Sequence, residues 1–346
     1  TAVEEIAQEE NRGGEEEQTN DLSKYMDSVL LSLLKTVERN DVTEANLTVN
    51  AWEAISAFIA AAARDTYPTL ESYVNEFLVR LDATLKAPHS TKLDEVQGLL
   101  CGALQSLTQK LGDRMRLHSN NMMQLLLTLF QNKINLQQQL LQQGETVNYS
   151  VQEEALLVVG ALANALSFDF ERYMQAFCPF LVTALRNQNE AAVCTIAVSV
   201  LGDLCNALGD RMAPYCDEIV TVLLQNLQSS AINREVKPNI IAAFGDIALA
   251  IGGEFEKYLQ YVGLVLKQAS EAQVNTADES MIEYLNLLRE SIFEAYTGIL
   301  QGLKKQKPHA FNAYVDGLIE FIKVVTQDEN TDQEVYRCAV SVIGDL

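Results

Sequence analysis

The residue types that could do chemistry in this chain are sparse among its histidines and cysteines and plentiful among its carboxylates. His89, His118 and His309 are far apart in sequence and fall near expected helix ends or loops. No two share a helix face with a carboxylate at metal-ligand spacing, and there is no H-E-x-x-H, P-loop, G-x-S-x-G or G-x-G-x-x-G run. Cys101, Cys178, Cys194, Cys205, Cys216 and Cys338 sit inside apolar stripes without a C-x-x-C pair, which reads as core thiols of a reducing compartment. Catalytic residues, a metal and a cofactor are therefore not expected. The carboxylates point to recognition. Glu283, Glu290 and Glu294 are spaced seven and four residues apart, so on a helix they line one face beside Asn286.

The elements that would position them repeat along the chain. Tyr25-Met26-Asp27, Tyr73-Val74-Asn75, Tyr173-Met174-Gln175, Tyr215-Cys216-Asp217, Tyr258-Leu259-Gln260 and Tyr314-Val315-Asp316 each open an apolar helical stripe, 48, 100, 42, 43 and 56 residues apart. A second stripe closes on Gly202-Asp203-Leu204, Gly245-Asp246-Ile247 and Gly344-Asp345-Leu346. Two helices in a period of roughly 40 to 47 residues predict an all-α HEAT-repeat superhelical solenoid. The interval of 100 hides one further unit, from Leu117 to Leu166. Residues 20–346 then hold about seven repeats, the last truncated. Residues 1–19, with Glu4, Glu5, Glu9, Glu10, Glu15, Glu16 and Glu17 around Gly13-Gly14, are expected to form an acidic low-complexity loop or tail. The Gln-rich run Leu136 to Gln143 extends a first helix or forms a long loop. Gly252-Gly253 is expected to be a left-handed helix cap.

A net charge of −22 argues against nucleic acid or an anionic membrane as partner and favours a basic one. No stretch is read as apolar enough to cross a bilayer without interruption. Second helices usually line the inner wall of a superhelix. Glu53, Asp94, Glu95, Glu153, Asp203 and Asp246 would join Glu283, Glu290 and Glu294 there as an acidic surface for a basic adaptor or cargo. The alternative for several of them is structural: a carboxylate near a helix N-terminus, such as Glu153 or Glu190, stabilises the dipole, and an aspartate after glycine can cap or bond to a neighbouring repeat. Trp52 is expected to pack in the core.

The run Val236-Lys237-Pro238-Asn239-Ile240-Ile241-Ala242-Ala243-Phe244-Gly245-Asp246-Ile247-Ala248-Leu249-Ala250-Ile251-Gly252-Gly253-Glu254-Phe255 resembles the importin-β (karyopherin) nuclear import receptors. Pro214-Tyr215-Cys216-Asp217-Glu218, Leu201-Gly202-Asp203-Leu204-Cys205, Leu288-Arg289-Glu290-Ser291 and Glu294-Ala295-Tyr296-Thr297-Gly298-Ile299 carry the same resemblance, strongest from about 150 to 303. The resemblance implies a carrier, not an enzyme. Its inner wall would hold the basic importin-β-binding helix of importin-α, or basic cargo. Its outer helices would accept Phe-Gly nucleoporins in apolar slots, to which Tyr173, Phe177, Phe180, Tyr215, Tyr258 and Tyr261 could contribute. Ran in its GTP form would displace cargo, mainly through amino-terminal repeats expected to lie outside this middle-to-C-terminal piece. Cytoplasm, nucleus and nuclear pore are the implied locations. A HEAT scaffold subunit of a phosphatase or coat-adaptor complex is the alternative.

Overall fold

The computed structural model describes residues 17–39, 46–275 and 277–346. The expected acidic loop at 1–19 therefore lies outside the described residues except for Glu17 to Thr19, where Arg64 and Asp65 donate backbone N–H bonds to the Glu17 and Gln18 carbonyls. The described residues form fourteen α-helices and fall into two compact units, 1–166 and 167–346.

Unit 1 holds α1 (Met26–Val37), α2 (Asn46–Ala60), α3 (Tyr67–Lys86), α4 (Thr91–Leu111), α5 (Ser119–Gln143) and α6 (Ser150–Leu166). Unit 2 holds α7 (Glu171–Leu185), α8 (Ala191–Leu208), α9 (Cys216–Gln228), α10 (Val236–Ile251), α11 (Glu256–Ser270), α12 (Glu279–Leu303), α13 (Val315–Gln327) and α14 (Gln333–Asp345). Odd-numbered helices are called A and even-numbered helices B. Their patterns differ as their surroundings do. The A helix α13 buries one stripe, Leu318, Phe321 and Val325, whereas the B helix α10 is buried on several sides, with Ile240, Ile241, Phe244, Ile247 and Ala248 all below a tenth exposed. Within each unit the B helices pack most closely on one another: α2 on α4 and α4 on α6, then α8 on α10, α10 on α12 and α12 on α14.

Glycines set the tightest of these contacts. A Cβ on Gly245 of α10 would lie 2.9 Å from the Glu294 carbonyl oxygen of α12, and Cβ atoms on Gly298 and Gly302 would run into the backbone of Gly245 and Ala248. The two helices therefore meet backbone to backbone, which only residues without a side chain permit. Large apolar groups fill the flanks, Phe244 and Phe293 among them, both wholly buried.

The A helices are tied differently. The Tyr73 hydroxyl donates to Asp27 Oδ1 at 2.8 Å, and the Tyr258 hydroxyl donates to Asp217, so the aspartate of one Tyr-x-Asp string receives the next tyrosine. Because the Asp217 side chain is 77% exposed, water competes for it and the bond there stabilises by only about 0.5 to 1.5 kcal/mol.

The Gln-rich run takes the first of its two expected forms, extending α5 as a helix to Gln143. Other expectations are corrected. Short 3-10 turns at Gly112–Leu117, Ser167–Phe170, Gly209–Tyr215, Gly252–Phe255 and Pro308–Tyr314, which apolar periodicity does not separate from the helices, precede α5, α7, α9, α11 and α13. Gly112, Gly209 and Gly252 have φ of 53°, 55° and 57°, and Gly252 has ψ of −131°, outside the left-handed helical region expected of a simple cap. That positive φ ends the B helix sharply, and the redirected chain closes tighter turns before α geometry resumes. Three continuous helical stretches, Ser150–Leu185, Ala191–Gln228 and Val236–Ser270, are long and apolar enough to cross a membrane by length and composition, contrary to the reading above. Each runs through a B helix, a 3-10 turn and an A helix, and more than half of its apolar window is buried inside the protein.

The glycine contact makes opposite predictions for two substitutions. Gly298→Ala should destabilise unit 2 by about 1 to 3 kcal/mol through overpacking. Gly317→Ala, on open surface in α13, should stabilise by about 0.4 to 1 kcal/mol. Urea melts followed by circular dichroism would read both, and equal effects would contradict the backbone contact.

Candidate functional site

The same glycines that bring B helices together place carboxylates side by side. Gly245 touches the Glu294 backbone, so its neighbour Asp246 and the Glu294 side chain share the seam between α10 and α12. Gly202 of α8 performs a similar service, since its missing Cβ would lie 3.1 Å from Asp246 Oδ2. Between α10, α12 and α14 the seam opens into a groove of about 400 Å³ whose walls include Gly245, Asp246, Leu249, Glu294, Gly298 and Cys338.

Desolvation, and after it neighbouring like charges, sets its electrostatics. The Asp246 carboxyl is raised above its ordinary value, first by desolvation within the seam and then by Asp203. Glu294 is raised by desolvation and then by Asp246. Glu290 is raised by desolvation, then by Asp332, Glu294 and Glu334. Burial, followed by Glu294, Glu290, Glu334 and Asp332, pushes the Cys338 thiol up to about 11, so it stays protonated at neutral pH. Two basic side chains of α12 and α14 are engaged with other groups. Arg289 donates to Asp328 at 2.6 Å and to Thr331 at 3.0 Å, and Arg337 pairs with Glu334 at 2.9 Å. The carboxylates thus form a run of mutually repelling charges across α8, α10, α12 and α14, which lowers the potential of the groove.

Other expected site residues are placed as follows. Glu283, Glu53 and Glu95 are exposed on α12, α2 and α4, Glu153 is half-buried on α6, and Asp203 is half-buried on α8. Glu154, beside Glu153, faces Gly98 and Gly102 of α4 and is raised by desolvation and then by Glu153. Asp94 is a correction. It is buried and bound by Lys133 at 2.5 Å and His89 at 3.1 Å, so its charge is neutralised inside unit 1. Asp332 and Glu334 were missed because they open the final short helix. Asp332 caps it, accepting from the Val335 N–H at 2.9 Å.

On the A helices Phe177 is wholly buried, and Tyr258 is buried with its hydroxyl committed to Asp217, so neither lines an open slot. Both are corrections: the apolar stripe that suggested them is the face packed inward. Tyr173, Phe180 and Tyr215 are half-buried. Tyr261 and Leu264, one turn apart on α11, are 60% and 56% exposed and form the open apolar surface there. Trp52 is core, packed edge-on against Phe77 at 5.5 Å. Among the described residues no group of three His, Cys, Asp or Glu could hold a metal ion.

Stacked helix pairs with an acidic seam on the B layer define a HEAT-type α-solenoid. The family model described as importin subunit beta-1-like, TPR repeats, matches residues 2–346, and the chain belongs to that family. Importin subunit beta-1 of Arabidopsis thaliana is 36% identical over 338 residues, which covers 94% of this chain and 37% of that protein. A crystal structure of importin beta superposes with a TM-score of 0.88 at 31% identity, over 99% of this chain and 41% of its own. A structure of Kap95p that describes its binding to RanGDP has a TM-score of 0.76 at 25% identity, over 94% of this chain and 37% of its own. The chain thus spans well under half the length of these relatives.

The raised carboxylates give a pH prediction. The folded protein holds these protons more tightly than the unfolded chain, so the cluster opposes folding at neutral pH, and that cost disappears as pH falls through the raised values toward the ordinary 4.5 of Glu294. Glu294→Gln should therefore raise the melting temperature near pH 7.5 and change it little near pH 4. A lower melting temperature at neutral pH would contradict the raised proton affinity of Glu294.

Proposed function

We propose that this chain is part of a nuclear transport receptor that holds a basic helix, such as the importin-β-binding segment of importin-α or a basic cargo, on its acidic B-helix seam. The observation that supports this most is the carboxylate run Asp246, Glu290 and Glu294, beside Asp203, in which desolvation and then like charge raise the proton affinity, a cost to folding that a bound cation would relieve. Glu283 extends the run along α12. Glu53, Glu95 and Glu153 offer a separate acidic surface in unit 1. Family membership and the net charge of −22 favour the same partner class. Phe-Gly nucleoporins would use the A layer, with Tyr261 and Leu264 as the open apolar pair and Tyr173, Phe180 and Tyr215 at its edges. Each ring buried there contributes roughly 1.5 to 3 kcal/mol before ordering costs, so affinity depends on several motifs engaging together. Ran would act on the whole receptor, as the Kap95p relative suggests, and the receptor would work in the cytoplasm, nucleus and nuclear pore.

Calorimetry with an Arg/Lys-rich helical peptide at two salt concentrations tests the reading. Binding should weaken steeply with salt. Changing Asp246, Glu290 and Glu294 together to Lys removes three pairs worth about 0.2 to 1 kcal/mol each, and adds repulsion, so affinity should fall by tenfold or more. Reversing Glu218, Asp316 and Glu320 on A helices should leave it nearly unchanged. A multivalent Phe-Gly peptide should bind the same sample with little salt dependence. Equal losses from both triple variants would remove the seam from the account. Absence of binding to both peptides would favour the scaffold reading.

A further inference from the structure

Unit 2 ties its A helices together at two joints and leaves a third without a directional bond. Asn226 of α9, only 1% exposed, donates through Nδ2 to the Leu185 carbonyl of α7 at 2.7 Å, and Arg186 at the end of α7 pairs with Glu218 of α9 at 2.9 Å. At the next joint Asp217 of α9 receives the Tyr258 hydroxyl and, at 2.8 Å, Lys257 Nζ, both from α11. The joint between α11 and α13 is different. Among the described residues, which include the whole of both helices, no hydrogen bond or ion pair joins them. They also lie close over a shorter length than the earlier neighbours do. What meets α11 is the Tyr314 ring, just ahead of α13, so near Gly263 that a Cβ there would collide with it. A ring on a glycine limits approach without fixing direction, whereas a hydrogen bond weakens steeply once bent.

The B side of the same two helix pairs, α12 against α14, is held near both ends. Asn286 of α12 donates to the Asn330 carbonyl at 2.9 Å, and Arg289 donates to Thr331 Oγ1 at 3.0 Å and to Asp328 Oδ2 at 2.6 Å, all in the turn that enters α14. Both donors are 6% exposed, so water competes little for these bonds. Near the other end of α12, Gln301 Nε2 donates to Asp345 Oδ2 at 2.9 Å. The turn also binds α13 to α14, since Thr331 passes its own proton to the Val325 carbonyl at 2.8 Å. Between the two sides, Phe321 of α13 lies on Phe293 of α12 with ring centroids 4.8 Å apart, and aromatic pairs stay favourable at more than one angle. Bonds near both ends of one edge fix a line and leave rotation about it open.

We propose that α13 and α14 swing as one pair about the α12/α14 edge, so that the cleft between α11 and α13 opens and closes while the B seam keeps its spacing. The bonds that resist separation lie on the axis, where rotation hardly stretches them. On the far side, where rotation moves atoms most, the apolar contact of Tyr314 with Gly263 is what opposes it. The α7/α9 and α9/α11 joints are bonded on their A side and hold one angle. A pair tied along a single edge is a hinge, because few directional contacts have to break for it to open.

Distance distributions between spin labels on the full chain, read by double electron–electron resonance, test the hinge. Labels go on cysteines introduced at exposed positions in a Cys338→Ser background, the five other cysteines being buried. Gln225→Cys with Lys267→Cys spans α9 and α11, Lys267→Cys with Glu320→Cys spans α11 and α13, and Leu287→Cys with Val340→Cys spans α12 and α14. The α11/α13 distribution should be roughly twice as wide as the other two. Asp217→Ala, a surface change that removes both bonds at the α9/α11 joint, should widen that distribution toward the α11/α13 width, and circular dichroism verifies that it folds. An α11/α13 distribution no wider than the α9/α11 one overturns the proposal. So do broad distributions at both α11/α13 and α12/α14, which mean that the last pair frays rather than swings. An α9/α11 width unchanged in Asp217→Ala overturns it as well, since bonds on the A side would then not be what holds the angle.

Discussion

Backbone contact between α10 and α12 is the constraint from which the rest of unit 2 follows. With glycine at 245, 298 and 302, no side chain separates the two helices, and the residues next in sequence have to share the seam. Asp246 follows Gly245 directly, and Glu294 lies on the turn that Gly245 touches. Their proximity is therefore a product of helix packing. Gly202 repeats the relation one helix earlier by leaving room for Asp246. A larger residue at any of these positions would push the helices apart and dilute the charge along with the packing.

That arrangement trades stability for recognition. Asp246 and Glu294 keep an exposed surface, yet desolvation along the seam and then a neighbouring like charge raise their proton affinity, and the protein retains them although neutral amides would fold more comfortably. Unit 1 handles its buried acid in the opposite way. Asp94 is matched by Lys133 at 2.5 Å and by His89 at 3.1 Å. The contrast separates a carboxylate that is left to attract a partner from one that is already satisfied.

Much of this organisation was legible in the residue pattern. The recurrence of tyrosine strings and Gly-Asp-Leu endings revealed helix pairs, and the spacing of Glu290 and Glu294 placed them on one face. What the pattern could not reveal was the environment of each residue. Asp94 and Glu95 are adjacent and chemically alike, but only a residue thirty-nine positions away, Lys133, makes the first one structural. Phe177 and Tyr261 are both aromatic residues of A helices, yet one is wholly buried and the other is 60% exposed, because helical phase relative to the neighbouring helices decides. The glycines carried a signal that was visible but ambiguous. Gly-Asp could mean a cap, and it became a close helix contact only when the opposing backbone was known. The positive φ of Gly112, Gly209 and Gly252 likewise produced a 3-10 turn that apolar periodicity alone merged into the following helix.

The central claim is that close packing of the B helices builds the surface that receives a basic partner. Hydrogen exchange read by mass spectrometry, on the chain alone and saturated with an Arg/Lys-rich helix, tests it most directly. The account predicts slowed exchange on α8, α10, α12 and α14, with the A helices of unit 2 unchanged. Protection confined to α9, α11 and α13 would contradict it.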